Sequence, residues 1–147
     1  MIMTQSLHEQ HAQLQPSHHA FHPMKIDGRY QYRLIGKGLR DADRKGIIIE
    51  LKSYPDGWPP DGRITLRKIE HSVDDIPWNQ TSMGQSRFLA WAAIPMRRKN
   101  EVRYRQIGFA YLHADKHGLE VYLDCLPLNG FVYVRHRAHK PDSWTKK

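Results

Sequence analysis

Two aspartates, Asp43 and Asp115, hold equivalent places in two similar stretches of this chain, and a repeated acid pair is the first candidate for chemistry. Paired carboxylates do general acid–base work when their surroundings push their pKa values apart. Each of these, however, opens a turn that closes on glycine: Asp43-Arg44-Lys45-Gly46 and Asp115-Lys116-His117-Gly118. Aspartate at such a place commonly accepts its own backbone N–H two residues on, so turn formation is the expected role. His113 and His117 flank the second turn at i and i+4, a metal-binding spacing on a helix but not on a hairpin. His8, His11, His18, His19 and His22 crowd the start, with no cysteine and only Glu9 nearby to complete a tetrahedral set. The one cysteine, Cys125, sits in a strand pattern and reads as a buried structural thiol. None of Gly36, Gly38 and Gly46 is followed directly by Lys-Ser or Lys-Thr, so they form no phosphate loop, and close strand packing or a bulge is expected there. No Ser-His-Asp or Cys-His pattern is present. The expectation is a protein that is not an enzyme and uses no metal or cofactor.

The basic residues are more coherent. The net charge is +8, with a sequence pI near 9.7. From Arg87 onward twelve Lys or Arg face five acids, a net of +7, while residues 1–86 carry only +1 from eleven bases and ten acids. Such asymmetry favours a polyanionic partner. Arg44 and Lys45 occupy one turn tip and Lys116 the equivalent one. Arg97, Arg98 and Lys99 crowd a hairpin tip. Arg33 and Arg105 are equivalent, as are Arg67 and Arg135, and Arg103, Arg105, Arg135 and Arg137 lie on strands with Tyr104, Tyr111, Tyr122 and Tyr133 interleaved. These cations are the candidate contacts to double-stranded DNA, through phosphates and through arginines inserted in a groove. Loss of Arg97, Arg98 and Lys99 together is expected to weaken duplex binding and to flatten a log K against log salt slope of roughly −4 to −5. Two alternatives stand beside this reading. Exposed tyrosines and phenylalanines can stack the bases of a single strand. Trp58, Trp78 and Trp91 can anchor a protein partner, as in an interaction module or inhibitor.

The elements that must place these groups follow from a repeat. Tyr32–Pro55 and Tyr104–Pro127 align without a gap at an offset of 72, with nine identities. Beyond the proline the match resumes at an offset of 68, where Gly62, Ile64, Leu66 and Arg67 face Gly130, Val132, Val134 and Arg135. Alternation predicts strands over 21–26, 29–40, 47–53, 63–69, 87–96, 101–112, 119–124 and 131–137. Asp27-Gly28 predicts a tight hairpin and Asn129-Gly130 a turn, and a short helical turn is expected near Ser72. The organisation predicted is a disordered tail over 1–20, a first β repeat over 21–69, a linker over 70–85, a second repeat over 86–137 and a basic tail over 138–147. Removing the tail is expected to leave stability almost unchanged. The fold expected is mainly β: two four-stranded antiparallel meanders with pseudo-two-fold symmetry, sharing one core in a sandwich or barrel-like body. Ile47, Ile49, Leu51, Leu119, Val121 and Leu123 should be buried. With no signal peptide and no apolar run near the ~20 residues of a membrane span, a cytoplasmic protein is expected.

The second repeat resembles a family of very small proteobacterial proteins of unknown function, frequent on plasmids and integrative elements. The residues that carry the likeness are Ile107, Gly108, Asp115, Gly118, Leu123, Asp124, Leu126, Pro127, Gly130 and Arg135. The first repeat matches more loosely, with Lys52-Ser53-Tyr54 where the family has Asp-x-Leu. The resemblance implies a mobile-element setting, not a chemistry. A tandem form with a basic second half is also similar to accessory DNA-binding proteins of conjugative plasmids, which implies duplex DNA and other transfer proteins as partners.

Overall fold

Side chains that alternate apolar and polar bury one face only when the backbone is extended, and this chain is built of strands. The structure, a computed structural model, describes residues 11–54, 62–77, 88–95, 101–127, 129–139, 141 and 144–145. Its strands are β1 (Pro16–Ile26), β2 (Arg29–Arg40), β3 (Gly46–Leu51), β4 (Gly62–Lys68), β5 (Phe88–Pro95), β6 (Glu101–Leu112), β7 (Gly118–Leu123), β8 (Phe131–His136) and β9 (Trp144–Thr145). Strands β2 to β8 match the predicted spans to within two residues at each end. β1 does not. It begins at Pro16, inside the segment expected as a tail, with Ala20 fully buried and His18 7% exposed. Ser, His and Ala do not announce a strand by hydrophobicity, but their backbone pairs on both sides.

The sheet order β5-β8-β3-β2-β1-β4-β7-β6 closes on itself through β5–β6, giving an eight-stranded antiparallel barrel, and β9 adds to β6. Closure gives every barrel strand a neighbour on both sides over part of its length, while Arg29–Leu34 of β2 pair with β1 alone among the described strands. The expected meanders are corrected here. β4 leaves β3 and lies between β1 and β7, and β8 leaves β7 and lies between β5 and β3. Within each half the order is therefore fourth, first, second, third, the order of a Greek key. A four-stranded meander would leave its first and fourth strands half-paired. Inserting each fourth strand beside the other half's third strand satisfies both.

Gly36 pairs with Leu51 and Gly108 with Leu123, while Gly46 faces Arg135 and Gly118 faces Arg67. Both β1–β2 and β5–β6 slip register just after an alanine, at Ala20/Phe21 and Ala90/Trp91. The glycine of each Ile-Gly pair has a steric reason. A Cβ on Gly36 would collide with the Glu50 carbonyl, and one on Gly108 with the Tyr122 carbonyl. Close strand packing, as expected, is what these glycines permit.

One apolar cluster fills the barrel and draws on both halves, including Ile35, Ile49, Ile64 and Leu66 with Ile107, Val121, Val132 and Val134. An eight-stranded barrel is just wide enough for side chains to fill. Of the six residues expected in the core, five are buried, and Ile47 packs against the cluster half-buried. A second cluster of Leu39, Ile48, Ala93, Val102, Phe131 and Tyr133 has Leu14, Trp91 and Tyr104 packed against it. Cys125 is half-buried and packs against the first cluster from the turn after β7. Trp58 and Trp78 lie outside the described residues.

Neighbouring strands are all antiparallel, so β1, β3, β5 and β7 run one way and the others the opposite way. The 41–45 and 113–117 turns therefore share one end of the barrel. Asp27 and Gly28, at φ 51° and 78°, form the predicted tight hairpin at the other end. The helical turn expected near Ser72 is a 3-10 turn, Val73–Asp75, with Ser72 Oγ accepting from the Asp74 N–H at 3.0 Å. No described helix is long and apolar enough to cross a membrane.

Candidate functional site

On the outer side of β4, β6 and β7, opposite in alternation to Ile64, Leu66 and Val121, sits a polar network. Glu120 is fully buried. It accepts from Arg63 Nε at 2.5 Å, from Thr65 Oγ1 at 2.7 Å and from His113 Nε2 at 2.9 Å. Arg67, 1% exposed, donates to His113 Nδ1 at 3.2 Å and forks onto Asp115 at 2.8 and 2.5 Å. A guanidinium has only protons to give, so His113 Nδ1 must offer its lone pair and Nε2 must carry the hydrogen. Two arginines, two carboxylates and a neutral imidazole then balance, which is what a buried ionic cluster requires.

Arg135 repeats the device on the other half. Its Nη2 donates to Asp43 at 2.7 Å, its Nη1 to Asp41 at 3.0 Å, and its Nε to the His139 carbonyl at 2.6 Å. Arg67 Nε does the same to the Ser72 carbonyl at 2.9 Å. Each turn aspartate also accepts its own backbone N–H two residues on, Asp43 from Lys45 and Asp115 from His117. The aspartates are turn formers held by arginines from the opposite half of the chain. Of the cations assigned to DNA, Arg67 and Arg135 are tied into the fold by these bonds, Arg67 buried and Arg135 half-buried.

These contacts have a pH signature. The Arg67 fork holds the Asp115 carboxyl well below the usual range, and Arg135 lowers that of Asp43. A carboxylate lowered in the fold contributes stability that is present above its unfolded value, ~3.9, and lost as pH falls through the folded one. His18 acts in a separate window. Burial, and then the nearby Lys68, push its imidazole down to about 4 from 6.5. The unfolded chain takes up that proton first, so stability is full above 6.5 and falls as pH drops toward 4. The expected loss is on the order of 2 kcal/mol. Urea midpoints between pH 7 and 4.5 should show it, and His18→Gln should remove most of the slope. An undiminished slope in that variant would assign it to other histidines.

The feature that composition did not isolate is a run of rings across β2, β1, β4, β7 and β6. His19 meets Phe21 at 6.1 Å between centroids, Phe21 meets Tyr32 at 6.3 Å, and Tyr32 meets Tyr30 at 6.5 Å. The Arg63 guanidinium lies 5.2 Å from the Tyr30 ring centre and 5.8 Å from that of Tyr122. Tyr122 stacks on Phe109 at 5.5 Å, with Tyr111 edge-on to both. Tyr30 is 46% exposed and the other rings are half-buried. The interleaved tyrosines of the sequence thus divide. Tyr111 and Tyr122 join this strip, whereas Tyr104 and Tyr133 pack into the second apolar cluster. Tyr133 is buried, donates or accepts with His11 Nε2 at 2.9 Å, and has its hydroxyl pKa raised by that burial.

The remaining sequence-predicted cations do not form one patch. Arg33 on β2, and Arg103 and Arg105 on β6, are exposed. Arg44, Lys45 and Lys116 are exposed at the two turns, with Arg44 and Lys116 at φ 61° and 65°. Arg137 is exposed just after β8. Arg97, Arg98 and Lys99 lie outside the described residues. The strands that flank them, β5 and β6, end there at the opposite end of the barrel from the two turns. Among the described residues no group of three His, Cys, Asp or Glu is placed to hold a metal ion. Comparison with family models, with curated proteins and with solved structures finds no match.

Proposed function

We propose that this barrel is a non-catalytic nucleic-acid-binding protein that takes single-stranded DNA across the face centred on Tyr30, Arg63 and Tyr122. The observation that carries the reading is the run of seven partly exposed rings, from His19 to Tyr111, on four strands, with the Arg63 guanidinium on β4 between them. Bases stack on aromatic faces and on guanidinium planes with little regard to sequence. The overall charge of +8 supplies the attraction for a phosphate backbone.

The barrel is, on the same proposal, a duplicated Greek key. The equal registers of β2–β3 and β6–β7, of β3–β8 and β7–β4, and the matching bulges after Ala20 and Ala90 support this. Duplication explains why one outer face is available. Tyr104 stands where the offset of 72 places Tyr32, Phe131 and Tyr133 stand where that of 68 places Arg63 and Thr65, and Trp91 follows the bulge at Ala90 as Phe21 follows that at Ala20. On the first of these faces, His11 lies against Phe131 and Tyr133, and Leu14 packs beside them. One half's aromatic face is thus closed by its own chain, while the other keeps its rings partly in solvent.

Duplex DNA is the second reading, favoured by the net +7 from Arg87 onward and by the exposed Arg33, Arg44, Lys45, Arg103, Arg105, Lys116 and Arg137. A role beside other transfer proteins on a mobile element goes with it. Affinity for a single strand and for a duplex of equal length, at one salt concentration, separates the two. The single strand should bind more tightly, and Tyr30→Ala and Tyr122→Leu should each weaken it by about 5- to 100-fold, the value of one stacked base. Tyr30 is exposed, so its variant should keep the parent melting point. Tighter binding to duplex, lost in Arg97→Ala/Arg98→Ala/Lys99→Ala but not in Tyr30→Ala, would reverse the order of the two readings.

A further inference from the structure

At the barrel end that carries the two aspartate turns, a cavity of about 360 Å³ opens between the start of β1, the 41–46 turn and β5. Its polar lining includes Ser17, Arg40, Arg44 and Lys45, and its apolar wall is Ile47 and Phe88. Among the described residues no carboxylate lines it. The turn carries two acids, and both Asp41 and Asp43 are paired with Arg135. Among the described residues, Arg40, Arg44 and Lys45 have no ion pair to a carboxylate. Three cations thus face one cavity whose described lining holds no carboxylate, an arrangement that an anion in the cavity would relieve.

The other half does not repeat the site. At the offset of 72, Arg40 becomes Leu112 and Lys45 becomes His117, whose ring stacks on His71 at 3.7 Å. The cation set therefore does not follow from the shared turn geometry. We propose that this cavity binds a phosphate monoester attached to an organic group. Arg40, Arg44 and Lys45 would hold the phosphate oxygens, with the Ser17 hydroxyl beside them, and Ile47 and Phe88 would cover the attached sugar or base. The volume favours this class, since small-molecule sites begin near about 300 Å³ and a bare phosphate would leave the apolar wall uncovered. The phosphate has two sources with the same chemistry, a free nucleotide or the 5′ end of a DNA strand.

The test is calorimetric titration of the full chain with thymidine 5′-monophosphate and, in parallel, with thymidine. The monophosphate should bind at least about tenfold more tightly, as expected for charge-assisted bonds to one group. Arg40→Ala/Arg44→Ala/Lys45→Ala should abolish that preference while keeping the parent melting point, because all three side chains are exposed. Equal binding of thymidine, or an unchanged preference in the triple variant, would overturn the proposal. A 5′-phosphorylated dT decamer that outcompetes its 5′-hydroxyl counterpart would assign the site to strand ends, and equal competition would assign it to free nucleotides. The site stands apart from the ring face. Tyr30→Ala should leave monophosphate binding intact even where it impairs binding of the 5′-hydroxyl decamer, so either proposal can fail without the other.

Discussion

A chain lacking residues 1–20 should not fold cooperatively. The deletion removes the first half of β1, which pairs with β2 from Pro16↔Leu39 to Ala20↔Gly36 and with β4 from His18↔Lys68 to Ala20↔Leu66. Only Phe21↔Thr65 would remain of the β1–β4 seam, so the barrel would open there. The deletion also takes His11 and Leu14 from the outer apolar cluster and exposes the rings of Phe131 and Tyr133. An open seam leaves backbone donors and acceptors of a central sheet unpaired, at about 1–3 kcal/mol for each group kept from water. Total stability of a domain is only about 5–15 kcal/mol. A thermal melt followed by circular dichroism should lose its sigmoidal transition. A midpoint within about 3 °C of the parent, the shift that roughly 1 kcal/mol produces at this size, would mean that β1 contributes no more than a tail.

Glu120→Ala should lower stability by about 3–5 kcal/mol, the usual consequence of removing one partner from a buried ionic set. Three donors converge on this carboxylate, Arg63, Thr65 and His113. With the carboxylate gone, Arg63 loses its ion pair with Glu120, while Arg67 keeps Asp115. Glu120 also opposes the cost that burial places on the Arg63 charge, and the balance raises the Arg63 pKa. The melting point should fall by about 6–20 °C. Glu120→Gln keeps an acceptor in place and should lose less. Equal midpoints for Ala and Gln would show that the charge, and not the shape of the acceptor, is what the network needs. An unchanged midpoint for Glu120→Ala would remove the network from the list of stabilising features. Because Arg63 is positioned by Glu120, the same substitution should also weaken single-strand binding at temperatures where the protein is still folded.

Much of this molecule is written locally. Alternation in Ile47–Leu51, Ile64–Leu66 and Leu119–Leu123 was enough to place β3, β4 and β7, because side-chain direction in a strand depends only on position in the strand. Asp27-Gly28 announced its hairpin, and Asp43 and Asp115 their turns, because the hydrogen bonds that define them span two residues. The offsets of 72 and 68 were legible as letters alone. What alternation could not give was the neighbour of each strand. β4 pairs with β7 across more than fifty residues, and nothing in Gly62–Lys68 distinguishes that partner from β3. The segment Pro16–Ala20 was missed because its burial comes from its position between β2 and β4, not from hydrophobic side chains.

The candidate sites divide in the same way. Net charge and the presence of tyrosines are properties of composition, so the expectation of a polyanionic partner needs the sequence alone. Which cations are available is decided by partners far along the chain. Arg67 is consumed by Asp115 and Arg135 by Asp41 and Asp43, and only the crossed placement of β4 and β8 brings those groups within 3 Å. Tyr111 and Tyr133 look alike in the sequence, yet one reaches solvent and the other is covered by His11. The rings of Phe21, Tyr32 and Tyr122 become one face because β1 and β4 lie between β2 and β7, an adjacency set by barrel closure and by no local signal.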